Sequence, residues 1–371
     1  MNRQSGPANE KREARWEMML CCAMSCGYPL ELITTMDARA ALRPMRLGYF
    51  LSCEEWGPKE LVELAVKAES AGFEGLWISD HFHPWNDEQG HSPFVWSVIG
   101  AIAQATERMT VTTAVTCPTL RIHPALVAQA AATSAIQLDG RFCLGVGSGE
   151  ALNEHILSDR WPGADERLEM LEEAVHLIRK LWQGGVQDHR SRHYRVENCR
   201  IYDLPELPPP IFMSGFGPKA IDLAARIADG FITVAPDADA VDRFRSKDGG
   251  QKPVQGGMKV CWDADERRGL ETVMRLWPNE ALPGELAQIL PTPQHFEQAS
   301  ELVTEEMLAE EVPCGDDVER HIEAIRAYAD AGFDELYVQQ IGPEQDQFFD
   351  AYRDKVLPRV AQELSGARSL A

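Results

Sequence analysis

The stretch Gly75-Leu-Trp-Ile-Ser-Asp80-His81-Phe-His-Pro-Trp85 carries the residue types in this chain that are best suited to chemistry. Its apolar, β-compatible run ends in Ser-Asp-His, which predicts a buried strand that reaches the surface at Asp80 and His81. Histidine is the side chain whose ordinary pKa allows it to exchange protons near neutral pH. Because ligands bind beyond the carboxyl ends of strands in alternating β/α folds, His81 is a candidate acid–base group. The alternative is a structural histidine that caps a turn.

Three other predicted strands also end in residues that could serve a site. Glu54 follows the first strand, and the third strand runs into Ala114-Val115-Thr-Cys117. The fourth strand is followed by Gly145-Val-Gly147-Ser148-Gly149-Glu150-Ala-Leu-Asn153-Glu154. In a barrel of parallel strands these ends share one mouth. The pocket expected there contains Glu54, His81, Trp85 and Glu150.

Two glycine-rich loops indicate a phosphorylated cofactor. One is Gly145–Gly149, and the other is Gly215-Phe216-Gly217 followed by Pro218, which would occupy the first position of a helix. Glycines let backbone N–H groups approach an anion, and the dipole of the following helix adds to the attraction. A tight loop with no ligand is the alternative for each.

The elements that must position these residues alternate between strand and helix from Met45 onwards. The predicted strands are Arg46–Leu51, Leu76–Ser79, Met109–Val115, Phe142–Gly145, Ile211–Ser214, Gly230–Val234, Met258–Trp262 and Glu335–Gln340. The predicted helices are Pro58–Ala71, one opened by Ser92-Pro93, Pro124–Leu138, Ala164–Trp182, Pro218–Ile227, Val318–Ala331 and Glu344–Leu364. A short β excursion is expected at Tyr194–Tyr202.

This pattern favours a barrel of parallel strands over an open Rossmann sheet. No Gly-x-Gly-x-x-Gly directly follows the first strand, so a dinucleotide-binding Rossmann fold has little support. The sequence therefore predicts a (β/α)8 TIM barrel with insertions near 150–165, 185–210 and 236–315. Residues 1–44 differ in composition from the rest and are interpreted as a poorly ordered extension, which leaves 45–371 as a single domain.

Composition limits the classes of function. With 44% hydrophobic and 25% charged residues, the chain of 371 residues has the composition of a soluble globular protein, and no apolar run suggests a membrane span. A formal charge of −22 disfavours nucleic acid as a partner. The nine cysteines include no Cys-x-x-Cys pair, which indicates free thiols in the cytoplasm and no zinc or other metal site.

Several motifs together resemble one known family. These are Leu47-Gly48-Tyr49, Ser79-Asp80-His81-Phe82 with Pro84-Trp85, Gly145-x-Gly147-x-Gly149-Glu150-Ala-Leu-Asn153-Glu154, and Asp229-Gly230-Phe231. In this order they resemble the deazaflavin-dependent glucose-6-phosphate dehydrogenases of the bacterial luciferase-like superfamily. The resemblance covers about residues 45–365. It implies a barrel, usually a homodimer, that binds coenzyme F420 at its mouth.

The resemblance also implies roles for individual residues. His81 matches the base that takes the proton of the substrate hydroxyl, Trp85 and Glu54 match residues that support it, and Glu150 matches the acid near N1 of the deazaflavin ring. It further implies a non-proline cis peptide at Ala114-Val115. The cofactor contacts that we expect on this basis are Asp80, Ala114, Val115, Cys117, Gly147, Ser148, Gly149, Asn153, Phe216 and Gly217.

The chain departs from the family where the sugar phosphate is held. Asp237 stands at the position of a phosphate-binding lysine, and the insertion 285–313 contains no Lys or Arg. Each lost charge-assisted contact is worth roughly 1.5–3 kcal/mol. We therefore expect an uncharged or cationic hydroxyl compound, such as a sugar, another alcohol or a hydroxylated lipid. The alternatives are a true glucose-6-phosphate dehydrogenase, an FMN-dependent luciferase-like monooxygenase, and a non-catalytic cofactor-binding barrel.

Overall fold

Eight parallel strands close into a barrel in the computed structural model, which describes residues 45–157 and 160–367, with side chains as far as Glu363. The strands of the described residues are β1 (Arg46–Leu51), β2 (Gly75–Ile78), β3 (Thr110–Thr113), β4 (Phe142–Val146), β5 (Gln187–Arg190), β6 (Arg195–Cys199), β7 (Ile211–Ser214), β8 (Gly230–Thr233), β9 (Val254–Val260) and β10 (Glu335–Gln340). Their order around the barrel is β1-β10-β9-β8-β7-β4-β3-β2, while β5 and β6 form a separate antiparallel hairpin. The predicted TIM barrel is confirmed. The predicted extension, residues 1–44, lies outside the described residues.

Helices surround the barrel and fill its insertions. They are α1 (Pro58–Ala71), α2 (Val95–Ala105), α3 (Pro124–Gln137), α4 (Ala151–Glu154), α5 (Ala164–Leu181), α6 (Pro218–Ile227), α7 (Ala238–Phe244), α8 (Glu266–Leu276), α9 (Leu286–Ile289), α10 (Pro293–Ser300), α11 (Glu305–Glu311), α12 (Val318–Asp330), α13 (Gln345–Ala351) and α14 (Leu357–Ala367). Local sequence explains several ends: α1 has Pro58 in its first turn and stops at Gly72, whose φ of 97° is left-handed. Among the helices that the structure describes, none is both long and apolar enough to cross a bilayer.

Three predicted boundaries were wrong for identifiable reasons. Strand β9 runs from Val254 to Val260 instead of 258–262, because its two glycines, which read as loop residues, lie where the barrel wall leaves no room for side chains. Strand β3 ends at Thr113 and does not reach Val115. Helix α2 begins at Val95 with Phe94 before it, so Ser92 is not its cap. Instead, the Ser92 hydroxyl donates to the carbonyl of His81 at 2.8 Å.

Two stacked aromatic rings fill the barrel interior below its mouth. Trp77 and Tyr337 lie with centroids 4.8 Å apart and planes 10° from parallel, and Trp77 donates its indole N–H to Gln255 at 2.9 Å. A Cβ on Gly257 would lie 2.4 Å from the Trp77 ring, and one on Gly48 would lie 2.3 Å from the Tyr337 ring. These glycines are therefore required by the stack, which forms the floor of the mouth.

We expect Gly257→Ala to lower the free energy of unfolding by about 1–3 kcal/mol, because the Trp77 ring is held between Tyr337 and Gln255 and cannot move aside. Chemical denaturation measures this directly. Gly100→Ala in the middle of α2 is the matched control, since its Cβ would meet only the end of the Gln137 side chain at 3.4 Å. The control should be neutral or stabilising by up to about 1 kcal/mol. Equal effects at the two positions would contradict the packing argument.

Candidate active site

Glu54 and His81 form a buried pair at the barrel mouth. The Nδ1 atom of His81 lies 3.0 Å from Oε1 of Glu54, at an angle outside that of a hydrogen bond, and the two side chains are 9% and 2% exposed. The other oxygen of Glu54 accepts hydrogen bonds from the hydroxyls of Ser52 at 2.8 Å and Ser79 at 2.9 Å. The two serines hold one oxygen of the carboxylate, and the other oxygen faces Nδ1 of His81. The carboxylate therefore favours a proton on Nδ1 of the imidazole and leaves Nε2 as the acceptor.

Trp85 packs against the His81 ring. The centroids of the two rings are 5.0 Å apart and their planes are inclined by 68°. Trp85 in turn packs edge-on against Phe296 of α10, with the ring centroids 5.0 Å apart. The backbone N–H of Trp85 donates to Gln89 at 2.8 Å, and Gln89 donates to the carbonyl of Leu276 at 2.9 Å. The loop after β2 is therefore fixed by the insertion that follows β9.

Two contiguous cavities open at this mouth. The first, of about 530 Å³, is lined by Glu54, His81, Trp85 and Glu150, and we call it the His81 cavity. The second, of about 510 Å³, is lined by Gly147, Ser148 and Gly149, and we call it the Gly149 cavity. The residues shared by the two linings include Val115, Glu150, Phe216 and Gly217. The barrel thus brings the four predicted pocket residues together.

A cis peptide joins Ala114 to Val115, as the resemblance implied, and both residues line the His81 cavity. The glycines behind it serve packing: a Cβ on Gly147 would lie 2.6 Å from the Val115 side chain, and one on Gly149, whose φ is 77°, would lie 2.6 Å from the Cys117 sulfur. Gly217 differs, since its Cβ would meet nothing within 4 Å. Its missing side chain leaves open space where the two cavities join.

Asp80 forms a buried ion network with Arg121 and Glu154 instead of facing either cavity. One oxygen of Asp80 accepts from Arg121 at 2.9 Å and the other accepts from Thr116 at 2.7 Å. Arg121 also lies 3.3 Å from Glu154, whose second oxygen accepts the Arg121 backbone N–H at 2.8 Å. Burial raises the pKa of Glu154 to about 7, although Arg121 acts to lower it. This network ties together the loops that follow β2, β3 and β4.

Two more of the predicted cofactor contacts lie behind the cavity walls. The Cys117 thiol is 3.0 Å from the Thr119 hydroxyl, and burial raises its pKa well above the usual range. The Asn153 side-chain oxygen accepts the N–H groups of Phe82 at 2.8 Å and His83 at 3.1 Å, while its Nδ2 is buried without a partner. Neither residue, nor Asp80, lines the two cavities. Direct contact of these three with a cofactor stays a prediction.

The structure adds site residues that sequence reasoning did not select. Arg167 of α5 reaches the Gly149 cavity, and Lys259 of β9 with Trp277 and Glu280 lines the His81 cavity. One signal was available for Lys259: a lysine within the apolar run Met258-Lys-Val-Cys-Trp262. Arg167 lies on a helix that was predicted, but nothing in the sequence shows which of its faces meets the cavity, and Trp277 and Glu280 come from an insertion whose folding has no local sequence signature.

The Gly149 cavity is suited to an anionic group. Arg167 is 5% exposed, stacks on Trp161 at 4.5 Å and donates to the carbonyl of Pro162, yet its Nε is buried without a partner. The cavity also meets the start of α6 at Gly217, Lys219 and Ala220, whose backbone N–H groups favour a negative charge. A phosphorylated cofactor with an anionic tail therefore fits this donor set.

The sequence matches a family model described as luciferase-like monooxygenase over residues 45–335. It is 38% identical over 329 residues to the F420-dependent glucose-6-phosphate dehydrogenase of Nakamurella multipartita, covering 85% of this chain and 97% of that one. The corresponding protein of Mycobacterium avium is 34% identical over 332 residues, covering 85% and 98% of the two chains.

Among solved structures, an F420-dependent secondary alcohol dehydrogenase in complex with an F420-acetone adduct superposes with a TM-score of 0.80 at 28% identity, over 86% of this chain and 99% of that one. The F420-dependent tetrahydromethanopterin reductase of Methanopyrus kandleri has a TM-score of 0.70 at 20% identity, over 86% and 100% of the two chains, which shows a shared fold.

The raised pKa of Glu154 predicts a pH dependence of stability. A carboxyl whose pKa is about 7 in the folded protein and near 4.5 when unfolded keeps its proton only in the folded state between these values. The contribution of Glu154 to the free energy of unfolding therefore falls as pH rises from about 4.5 to about 7, by up to about 1.4 kcal/mol per pH unit, and is level above, and buried Glu55, whose pKa is also raised to about 7, adds a fall in the same range.

Denaturation of wild type and Glu154→Gln across this pH range measures the effect. The substitution should flatten the fall, whatever it does to absolute stability through Arg121. Glu63→Gln, at an exposed position of α1, is the control and should keep the wild-type slope. An unchanged slope in Glu154→Gln would show that this carboxyl titrates normally.

Proposed function

The chain belongs to the luciferase-like family, and from its relatives within that family we propose that it is a coenzyme F420-dependent dehydrogenase that oxidises a hydroxyl group. One observation carries the proposal. The imidazole of His81, held by Glu54 at 3.0 Å, borders a cavity that opens into a second one suited to an anionic cofactor tail. Two relatives are named for this cofactor and for sugar-phosphate oxidation, and one structural neighbour for alcohol oxidation.

Coenzyme F420 supplies, when bound, a deazaflavin ring whose C5 accepts a hydride. Residues at the junction of the cavities would hold the ring, with Ala114, Val115 and Phe216 as its apolar contacts and Glu150 near its edge. Arg167 and the first turn of α6 would hold the phosphate and the carboxylates of the tail. Asp80, Cys117 and Asn153 would support the cofactor through the loops that they hold in place.

His81 would accept the proton of the substrate hydroxyl at Nε2. Glu54 stabilises the imidazolium that forms, because its carboxylate is buried and already oriented by Ser52 and Ser79. Trp85 keeps the ring in place and covers one side of the cavity. A hydroxyl bound between His81 and the ring position would thus lose its proton to Nε2 of His81, while the carbon that bears it would lose a hydride towards the ring and become a carbonyl carbon.

The substrate charge was argued from two features, and one of them needs correction. Asp237 does not line the His81 cavity: its carboxylate caps α7 by accepting the N–H of Ala240 at 3.0 Å. The second feature holds, since Glu285, Ala287 and Gln288 are what the cation-free insertion places at the cavity. We propose that the substrate is an uncharged or cationic hydroxyl compound. Cytoplasmic location stays a prediction from the cysteines, and a homodimer stays one from the resemblance.

A substrate screen tests this function. Purified protein with F420 should lose the absorbance of the oxidised cofactor when it is given an uncharged sugar or alcohol, and should respond weakly to glucose 6-phosphate. Efficient turnover of glucose 6-phosphate with neutral compounds inert would overturn the substrate proposal. Purification with FMN, and oxygen consumption in the presence of a flavin reductase, would favour the monooxygenase alternative.

Replacing His81 separates catalysis from binding. We expect His81→Ala to lower kcat by about 10²–10⁴-fold, because the substitution removes the imidazole that would take the proton. The dissociation constant for F420, measured by fluorescence, should stay within a few-fold. Glu54→Gln should lower kcat less and shift its pH profile. His176→Ala, at an exposed position of α5, is the control. Full F420-linked activity in His81→Ala would identify a different base, whereas F420 binding without turnover in the wild type would identify a non-catalytic barrel.

A further inference from the structure

Lys259 gives the His81 cavity a positive charge that the insertion lacks. It lies on β9, between Met258 and Val260, and borders both this cavity and a neighbouring one of about 260 Å³. Among the described residues that line the His81 cavity, Lys259 is the single lysine or arginine. On its own, an ammonium group in this place would attract a phosphate or carboxylate on the substrate.

Glu280 forms an ion pair with that ammonium group. The Nζ of Lys259 lies 2.9 Å from Oε1 of Glu280, and the two side chains are 16% and 26% exposed. The ammonium also lies 4.6 Å from the centre of the Trp277 ring and 6.0 Å from that of Phe50. Aromatic walls exclude water and weaken screening, so the attraction is stronger than in an exposed pair.

The position of Glu280 is set by a short turn after α8. The backbone N–H of Glu280 donates to the carbonyl of Trp277 at 3.2 Å within the 3-10 turn Pro278–Ala281. Trp277 in turn donates its indole N–H to Glu55, which also accepts the backbone N–H of Gly342 at 2.9 Å. One indole therefore contacts Lys259 with its face and anchors the turn that carries Glu280.

We propose that the Lys259–Glu280 pair selects the charge of the substrate, admitting an uncharged hydroxyl-rich compound and excluding its phosphorylated form. A neutral hydroxyl can donate to Glu280 and accept from Lys259 without separating them. A phosphate must displace Glu280, which leaves that carboxylate partly buried beside the incoming anion. The inference rests on the proposed function and assigns its substrate selectivity to these two residues.

Removing the charge of Glu280 tests the pair. Glu280→Gln keeps the shape of the side chain and leaves Lys259 as a free cation. We expect the ratio of kcat/KM for glucose 6-phosphate to that for glucose to rise by about 10-fold or more. The double variant Lys259→Met with Glu280→Gln should return the ratio to within a few-fold of wild type. An unchanged ratio in Glu280→Gln, or a gain that persists in the double variant, would overturn the proposal.

A second measurement needs no turnover and so separates this proposal from the proposed function. Calorimetry should show that Glu280→Gln binds inorganic phosphate about 10-fold or more tightly than wild type, with the gain lost in the double variant. Asp346→Asn is the matched control, because it frees Lys67 from an exposed pair of 2.6 Å away from both cavities. Equal phosphate binding in Glu280→Gln, wild type and this control would refute the pair's role even if the enzyme oxidises alcohols.

The reciprocal substitution, Lys259→Met, tests the pair independently, in case the Glu280 variant does not fold. Lys259→Met leaves Glu280 as an unpaired carboxylate at the cavity, so it should favour glucosamine, whose ammonium is positive, over glucose by several-fold relative to wild type. Thermal melts confirm that each variant is folded. A loss of preference for glucosamine would contradict the assigned role of Glu280.

Discussion

The buried guanidinium of Arg121 is the interaction on which the site depends. Its side chain is 7% exposed, and it holds Asp80 from the loop after β2 and Glu154 from the helix after β4. Its own loop follows β3, so one side chain joins three barrel loops. Removing one partner from such a buried pair costs about 3–5 kcal/mol, because the charge left behind cannot return to water. Two carboxylates share this one cation, and burial of Glu154 outweighs the attraction of Arg121, so the pKa of this carboxyl is raised.

That fastening, together with contacts inside the protein, positions His81. His81 directly follows Asp80, and its carbonyl is held by Ser92 at 2.8 Å while its ring lies between Glu54 and Trp85. Below, the stacked Trp77 and Tyr337 rings close the barrel interior. A substrate can therefore enter only from the mouth, and it meets an imidazole that is already oriented. Rigid placement of this kind lowers the reorganisation that a proton transfer requires.

The sequence predicted the parts of the structure that local patterns determine. The alternation of strands and helices from Met45 onwards indicated the barrel, and the barrel brought Glu54, His81, Trp85 and Glu150 to one mouth as expected. Long-range features escaped, for physical reasons. The glycines of β9 hid the first part of that strand because glycine has low β propensity, although the Trp77 ring requires a glycine there. Nothing local distinguishes an Asp that caps a helix, such as Asp237, from one that faces a cavity.

The corrected role of Asp237 changes the mechanism that we propose for the selection of substrates by charge. If an aspartate faced the cavity, repulsion alone would exclude phosphate, and the effect would weaken with salt. The structure instead leaves a cation, Lys259, inside the cavity and neutralises it with Glu280 at 2.9 Å. A short pair between aromatic walls is screened little, and an anion must break it before gaining anything from the lysine. Selectivity then follows from the cost of separating two residues of the protein, and that cost is absent for a hydroxyl, which both residues can bind while they remain paired.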